Sequence, residues 1–320
     1  MNNETDSLFG KGEGELIEIK YDFPLPMRLD RWLVSQRPEQ SRTSIQNLIN
    51  LGLVLINFKA AKAKTPLKKG DNIQIWLIPP EPLTYLKPEK MDLDILFEDK
   101  DIIVINKPSG LIVHPAPGHR FGTLVNGLLA HCTNLPGING KLRPGIVHRL
   151  DKETSGCIVV AKSQEALVNL QSQIKNRIAS RNYLAVIHGV PNSSEGKIIG
   201  NIGRHPIERK KYAVVEENSG RYACTNWRLI EKLGNYSLMS FKLDTGRTHQ
   251  IRVHCAHIKH PILGDPIYGR CKKLPCNLTG QALHANKLGL IHPVNGENMT
   301  FEAELPYEFK KLLRAIKNIM

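Results

Sequence analysis

Residues 146–163 read IVHRLDKETSGCIVVAKS, a polar turn followed by an apolar run. The apolar run from Cys157 to Ala161 predicts a buried strand. The turn before it crowds basic, acidic and hydroxyl side chains around a single aspartate, Asp151. An aspartate in a turn most simply accepts hydrogen bonds from nearby backbone amides. At this point the sequence leaves open whether Asp151 is a turn residue or a reactive carboxylate.

The segments on either side of this strand predict the elements that pack with it. Residues 164–179 predict a helix, because apolar side chains recur at helical spacing at Leu167, Leu170, Ile174 and Ile178. Further strands are predicted within residues 93–108, 182–190 and 236–244, and a helix start within 248–258. Because helices and strands mix without a regular βαβ repeat, we expect an α+β fold with a mixed, largely antiparallel sheet over residues 93–320.

The N-terminal part of the chain changes the sign of its charge. Residues 1–25 carry two lysines and six acidic residues, and we expect them to form an acidic leader. Residues 26–80 carry nine lysines or arginines and three acidic residues. Their apolar spacing predicts two short helices followed by strands, a compact ααβ module. Residues 81–92, which contain Pro82 and Pro88, are predicted to link this module to the larger domain.

Basic side chains of the ααβ module are candidate contacts to a polyanion. The candidates are Arg28, Arg31, Arg42, Lys59, Lys62, Lys64, Lys68 and Lys69. The whole chain has 44 lysines and arginines against 30 acidic residues, a formal net charge of +14. This balance favours nucleic acid over a membrane as the partner, because no basic amphipathic stretch stands out. The alternatives are charges that merely solvate helix faces, and a basic enzyme without a nucleic-acid partner.

Composition narrows the class of protein further. Hydrophobic residues make up 41% of the chain and charged residues 23%, which is ordinary for a globular protein. The sequence has no run of about eighteen apolar residues and no signal peptide, so we expect a cytoplasmic protein without a membrane segment. The six cysteines include no Cys-x-x-Cys pair and predict reduced thiols.

Two other constellations suggest different chemistry. Ser155, His148 and Asp151 could form a hydrolase triad, but the Gly-x-Ser-x-Gly elbow is absent. A zinc site could use closely spaced histidines, namely His249, His254, His257 and His260. No His-Glu-x-x-His motif is present, and the neighbouring Arg252 would repel a cation, so we expect no metal. The sequence also lacks a Gly-x-Gly-x-x-Gly motif and a phosphate loop, which argues against a nucleotide cofactor.

Several long motifs carry a resemblance to known families. RLDRWL, SRTSIQNLI and LKKGDNI in the basic module resemble the small RNA-binding domain first known from a small-subunit ribosomal protein. In the larger domain, HRLDKETSG, RNYLAVIHG and LDTGRTHQIRVHCAHIKHPILGDPIYG follow in the order found in RluA-type pseudouridine synthases. NKPSGLIVHPAPGHRFGTLVNGLL and IGRHPIERKKYAV resemble the RluD branch, which modifies large-subunit ribosomal RNA. The resemblance covers nearly the whole chain after the acidic leader.

This resemblance implies roles for individual side chains. Asp151 would be the nucleophile, Arg252 the cation that keeps it ionised, and Tyr183 the aromatic ring that stacks on the target base. The target uridine must leave its stack to react, and Arg149 would occupy the space that it vacates. Apart from the resemblance, Lys152 and Arg247 are candidate phosphate contacts, and the alternative is that both are solvated surface charges.

The implied reaction isomerises uridine to pseudouridine and needs no redox or group-carrying cofactor. Asp151 could attack the sugar, attack the uracil ring or remove a sugar proton, and the sequence does not choose between these routes. The expected partner is a stem-loop of 23S ribosomal RNA or the large ribosomal subunit, bound by a monomer. The rival interpretations are another ribosomal site or a transfer RNA as substrate, and a non-catalytic, basic RNA-binding assembly factor.

Overall fold

The computed structural model describes residues 15–37, 42–77, 86–115, 119–133, 135–137, 143–208, 211–269 and 274–319. The chain divides into two compact units, Met1–Leu83 and Thr84–Met320. Within the described ranges, no helix is long and apolar enough to cross a membrane. The cysteines described there are free thiols.

The first unit contains two helices and two small antiparallel sheets. The helices are α1 (Leu29–Gln36) and α2 (Arg42–Asn50). One sheet pairs β2 (Met27–Arg28) with β5 (Pro66–Leu67). The other has the order β1-β6-β3-β4, with strands β1 (Glu15–Lys20), β3 (Val54–Ile56), β4 (Lys59–Ala60) and β6 (Asn72–Leu77). Apolar side chains of both helices and of the sheet form one core, with Trp32, Leu33, Ile45, Ile49 and Ile73 fully or almost fully buried.

Strand β1 changes the predicted boundary of this unit. It lies inside the segment predicted as an acidic leader, yet it pairs along its whole length with β6. The reason is its spacing, since Ile17 and Ile19 alternate with charged residues and Ile19 packs against the core. Residues 1–14 of the predicted leader lie outside the described residues.

The second unit is built on one large sheet with the order β12-β11-β13-β14-β10-β15-β9-β8-β7, and β16 pairs with β15. All its pairings are antiparallel except that of β15 with β9, which confirms the predicted mixed α+β architecture. The strands are β7 (Ile95–Glu98), β8 (Ile102–Lys107), β9 (Ser155–Ala161), β10 (Ser180–His188), β11 (Glu195–Arg204), β12 (Tyr212–Val215), β13 (Arg221–Leu233), β14 (Tyr236–Leu243), β15 (Leu283–Ile291) and β16 (Asn298–Glu302).

Helices cover the central strands of this sheet on both faces. They are α3 (Leu124–His131), α4 (Gln164–Lys175), α5 (Gln250–His257) and α6 (Tyr307–Lys317). Side chains of β8 alternate between two cores: Ile103 and Ile105 pack with α3 and α6, whereas Ile102 and Val104 pack with α4. Helix α4 ends at Lys175, before the predicted position 179, and Ile178 is exposed beyond it.

Residues 86–92 of the predicted linker have no regular secondary structure but are tied to the second unit. The amide of Glu89 donates to the carbonyl of Asn126, and the Asn126 side chain donates to the carbonyl of Lys87. The carboxylate of Glu89 accepts from the amide of Gly122, immediately before α3. This half of the segment therefore packs onto the second unit, while residues 78–85 lie outside the described residues.

Candidate active site

A cavity of about 450 Å³ opens in the second unit between segments that are distant in sequence. Its walls come from the turn at residues 146–151, from Arg181 and Tyr183 on β10, from the loop at 243–249 and from the start of α5. Gly156 lets the turn approach the sheet this closely, because it has a φ of +110° and a Cβ there would collide with the carbonyl of Ala285 on β15.

Asp151 and Arg252 meet at this cavity across 101 residues of sequence. Arg252 Nη1 donates to Asp151 Oδ2 at 3.1 Å. The same guanidinium donates through Nε and Nη2 to both carboxylate oxygens of Asp265, at 2.7 and 2.8 Å. Asp265 is completely buried, whereas the Asp151 side chain keeps 17% of its surface exposed. One arginine thus bridges a buried carboxylate and one that faces the cavity.

The neighbouring charges and hydrogen bonds shift the pKa values of Arg252 and Asp265. Burial disfavours the charged form of Arg252, but hydrogen bonds and the charge of Asp265, with a smaller contribution from Asp151, raise its pKa above the ordinary value. Burial works against ionised Asp265 in the same way, and Arg252 together with the amides of Ile267 and Tyr268 outweighs it and lowers the pKa of that carboxyl. Arg252 is therefore a permanent cation beside Asp151.

His249 approaches the other oxygen of Asp151. Its Nε2 lies 4.0 Å from Asp151 Oδ1, and its Nδ1 lies 2.9 Å from the hydroxyl of Tyr268. The hydroxyl of Tyr268 also accepts from the amide of Tyr212, so it ties the His249 ring to the start of β12. His249 has a φ of +56°, a conformation that costs a residue with a side chain free energy and that concentrates at functional sites. Burial lowers the pKa of His249.

Lys107, at the end of β8, binds the backbone of the turn that carries Asp151. Its buried ammonium donates to three carbonyls, those of Pro108, Leu111 and Lys152, at 2.7, 2.8 and 3.1 Å. Burial lowers its pKa to about 7, against the opposing charges of Glu153 and Asp151. The bond to the carbonyl of Lys152 fixes the backbone immediately after Asp151.

Tyr183 lies in the wall of the same cavity, as predicted for an aromatic platform. Only 6% of its surface is exposed. Burial raises the pKa of its hydroxyl, so the phenol is protonated at neutral pH. The ring and the Asp151 carboxylate line the same cavity.

Positive charge surrounds the cavity. Its lining contains two carboxylates, Asp151 and Asp244, and seven cations: Arg143, Arg149, Lys175, Arg177, Arg181, Arg247 and Arg252. Within the part of the chain that the structure describes, Arg252 alone among these cations forms an ion pair with a carboxylate. The predicted contacts Arg149 and Arg247 belong to this lining, whereas Lys152 is exposed outside it and lies 3.8 Å from Glu153.

The predicted RNA-binding residues of the first unit fall into two groups. Arg28 and Arg42 donate to the fully buried carboxylate of Asp30, although both keep part of their surface exposed. Three others, Arg31, Lys62 and Lys64, are exposed. Hydrogen bonds from Arg28, Arg42 and Gln46 overcome the effect of burial and hold the pKa of Asp30 far below its usual range.

The alternative chemistries do not match the geometry. Ser155 Oγ lies 2.8 Å from His284 Nδ1, and His148 Nε2 accepts from the amide of Val159, so these two side chains form no triad with Asp151. The carbonyl of Asp151 accepts from the amide of Thr154, while its carboxylate turns to Arg252 instead of capping the turn.

The histidines that lie close together in the sequence contact different partners in the structure. His249 contacts Tyr268, His254 contacts Thr225, and His260 lies 2.8 Å from the carbonyl of His188. They therefore share no metal geometry.

Sequence reasoning missed Asp265, Arg181 and Lys107. Asp265 stands in the quoted segment PILGDPIYG, and Lys107 in NKPSG, so both lay within recognisable motifs. Their partners are a guanidinium and three carbonyls that come from other segments, and spacing along the chain carries no sign of either contact.

Comparisons with known proteins identify the family of each part of the chain. Residues 101–257 match the family model described as RNA pseudouridylate synthase, and residues 27–73 match the S4 domain. An uncharacterized RNA pseudouridine synthase of Synechocystis is 50% identical over 291 residues, which are 90% of this chain and 89% of the relative. The ribosomal large subunit pseudouridine synthase D of Zymomonas mobilis is 42% identical over 299 residues, which are 90% of this chain and 93% of the relative.

A solved structure matches as well. The human RNA pseudouridylate synthase domain containing 4 superposes with a TM-score of 0.54 at 26% identity, covering 70% of this chain and 93% of that chain. The chain belongs to the RNA pseudouridine synthase family, and it carries an S4 domain in its first unit.

Proposed function

We propose that this enzyme converts uridine to pseudouridine in large-subunit (23S) ribosomal RNA, with Asp151 as the nucleophile. The observation that carries the proposal is the Asp151–Arg252 pair at 3.1 Å, set in a cavity lined by unpaired cations. Relatives in Zymomonas mobilis and Neisseria meningitidis with the printed name ribosomal large subunit pseudouridine synthase D support the substrate class. The S4 domain supports an RNA substrate.

The two carboxylate oxygens of Asp151 have different surroundings. Oδ2 accepts from Arg252, whereas Oδ1 accepts no hydrogen bond from the described residues and has His249 Nε2 at 4.0 Å. Oδ1 is thus the oxygen available to the target nucleoside. Arg252 orients the carboxylate, and the bond from Lys107 to the next carbonyl fixes the backbone that carries it. The reaction moves the base from a nitrogen to a carbon linkage without gaining or losing atoms.

The uridine must be extruded from its stack before Asp151 can reach it, which costs roughly a few kcal/mol. Tyr183 would recover part of this free energy by stacking on the extruded base, and stacking contributes about 1–3 kcal/mol per base. Arg149 stands at the cavity with its guanidinium 3.5 Å from His114 Nε2, and we assign it to the space left by the base.

We also propose the type of RNA substrate, the oligomeric state, the cell compartment and the role of each part of the chain. A stem-loop fits the substrate, because its loop bases are easier to extrude than those of a duplex. We expect a monomer, because one chain supplies Asp151, Arg252, Tyr183 and the cation lining. We assign the enzyme to the cytoplasm, residues 26–80 to RNA binding, residues 81–92 to a linker and residues 93–320 to catalysis. Arg28, Arg31, Arg42, Lys62, Lys64, Lys152 and Arg247 remain proposed RNA contacts.

Deleting the gene and mapping pseudouridine in ribosomal RNA tests the proposal. We expect at least one 23S uridine to lose its modification, the wild-type gene to restore it, and Asp151→Asn to fail although the variant folds and binds RNA. Asp92→Asn, which changes an exposed carboxylate of the same unit, is the matched control and should restore modification. Unchanged ribosomal RNA would contradict the substrate assignment, and restoration by Asp151→Asn would contradict the nucleophile and favour an assembly factor.

A further inference from the structure

Arg181 is a buried cation to which the described part of the chain supplies no partner. Only 6% of its surface is exposed, and its Nε is completely buried with no hydrogen-bond acceptor. No hydrogen bond or ion pair joins its side chain to another described residue. An isolated buried guanidinium costs free energy, and such a group is usually compensated by a partner. The missing negative charge therefore points to a ligand.

The acidic groups nearest in the cavity are committed elsewhere. Asp151 accepts from Arg252, and Asp244 accepts from Cys224 Sγ and from Asn226 Nδ2 at 3.2 and 2.9 Å. His148 cannot serve as the acceptor, because its Nε2 already accepts from the amide of Val159 and its Nδ1 then carries the proton. No described carboxylate of the lining forms a hydrogen bond or an ion pair with Arg181.

The spacing of Arg181 and Tyr183 matches that of a phosphate and a base in one nucleotide. It lies two residues before Tyr183 on β10, so both side chains project from the same face of the strand, roughly 7 Å apart along it. One ribose separates a base from each of its phosphates, a comparable distance. Gly246 makes room for the guanidinium, since a Cβ there would lie 2.6 Å from Arg181 Nη1. Arg177 and Arg247 line the same cavity.

We propose that Arg181, flanked by Arg177 and Arg247, binds a phosphodiester group next to the extruded uridine. The inference rests on the proposed function, because it takes the uridine to stack on Tyr183. A phosphate oxygen supplies the absent negative charge, and the planar guanidinium can donate two parallel hydrogen bonds to it. The contact holds the ribose against Asp151 while the base lies on Tyr183. Arg181 is thus a positioning residue for the substrate.

Thermal unfolding of the full chain without RNA separates this role from a structural one. We expect Arg181→Met to unfold at the wild-type temperature or above it, because the substitution removes an uncompensated buried charge. Arg228→Met is the control, since Arg228 is 71% exposed and lies outside the cavity, 3.3 Å from Glu195. An unfolding temperature clearly below that of the wild type for Arg181→Met would show that the arginine supports the fold, and would overturn the proposal.

Binding of mononucleotides then identifies the ligand group. NMR titrations of the full chain with uridine, uridine 5′-monophosphate and uridine 3′-monophosphate compare the base and sugar with and without each phosphate. We expect one monophosphate to bind about tenfold or more tightly than uridine, and Arg181→Met to abolish the difference while Arg228→Met keeps it. Equal binding of all three by the wild type, or a preference retained by Arg181→Met, would overturn the proposal.

A double-mutant cycle on RNA completes the test. Replacing the phosphate next to the target uridine by a neutral methylphosphonate should lower kcat/KM roughly 10- to 100-fold, as should Arg181→Met, and the two changes together should cost no more than one. The cycle is measured for the phosphate on each side of the uridine. If the loss from Arg181→Met and the loss from the methylphosphonate add at both positions, Arg181 contacts neither phosphate and the proposal is refuted. If no ribosomal uridine is modified, the proposed substrate fails, while the mononucleotide titration still decides whether Arg181 binds phosphate.

Discussion

The two units each contain a buried cluster of carboxylates and arginines. In the first unit two arginines bind one carboxylate, and in the second unit one arginine binds two carboxylates. In the first unit one carboxylate, Asp30, accepts from Arg28, Arg42 and Gln46 through both of its oxygens. In the second unit one guanidinium, that of Arg252, is shared by Asp265 and Asp151, and Asp151 Oδ1 stays free of it.

The difference separates a cluster enclosed in the core from one that reaches a cavity. Asp30 is completely buried and both of its oxygens accept hydrogen bonds, so this carboxylate joins α1 to α2 and faces no cavity. The second cluster satisfies Asp265 fully and leaves one oxygen of a partly exposed carboxylate facing a cavity. A satisfied ion cluster stabilises a fold, whereas an oxygen left over at a cavity wall is available for chemistry.

Removing the shared cation should have the largest effect. Arg252→Met leaves Asp265 buried and unpaired, so we expect a loss of about 3–5 kcal/mol in the free energy of unfolding, measured by urea denaturation. Turnover should fall at least about 100-fold, because Asp151 loses its counter-ion. The double variant Arg252→Met with Asp265→Leu should recover stability but not turnover. Recovery of both, or wild-type turnover in Arg252→Met, would contradict the electrostatic role.

Breaking the structural cluster should destabilise the first unit alone. Asp30→Asn leaves two arginines without a counter-charge, and we expect roughly 3 kcal/mol lower stability, seen as faster hydrogen exchange in α1 and α2. The folded pKa of Asp30 is lowered, so its stabilisation is complete above the unfolded value of about 3.9 and is lost as the pH falls below it. The variant should lack this acid-dependent loss. Unchanged exchange in both helices would show that the cluster is dispensable.

Exposed lysines of the first unit should contribute a smaller, purely electrostatic effect. Lys62→Ala combined with Lys64→Ala should weaken RNA binding and reduce the slope of log K against log salt by about one for each lost phosphate contact. The single-turnover rate at saturating RNA should stay unchanged. Lys287→Ala, at an ion pair with Glu302 in the second unit, is the control. An unchanged salt slope would remove these lysines from the RNA contacts.

The smallest effect is expected at the aromatic platform. Tyr183→Phe keeps the ring, so RNA affinity should stay within about threefold of the wild type, whereas Tyr183→Leu should weaken it further. Filter binding measures both. A loss in the turnover of Tyr183→Phe that exceeds its loss in RNA affinity would show that the hydroxyl takes part in the reaction. Full turnover would exclude a role of the hydroxyl in proton transfer.

The sequence sufficed for the α+β class and the family, because strand alternation, helical spacing and long motifs are local signals. It also predicted the Asp151–Arg252 pair, since both residues lie in recognisable motifs. It could not predict that Asp265 and Asp151 share one guanidinium, or that Lys107 binds the carbonyl after Asp151, because these contacts depend on packing between distant segments. Strand β1 was missed because its acidic residues masked the alternation of Ile17 and Ile19.

The position of β15 has a consequence for biosynthesis. This strand leaves the ribosome after β9 and β10, yet it lies between them in the sheet, and Ser155 on β9 contacts His284 on β15 across 129 residues. The contacts of the first unit, in contrast, lie within residues 15–77 and can form early, since chains fold from the N-terminus during synthesis. A chain still being translated is therefore expected to hold RNA before it can modify it.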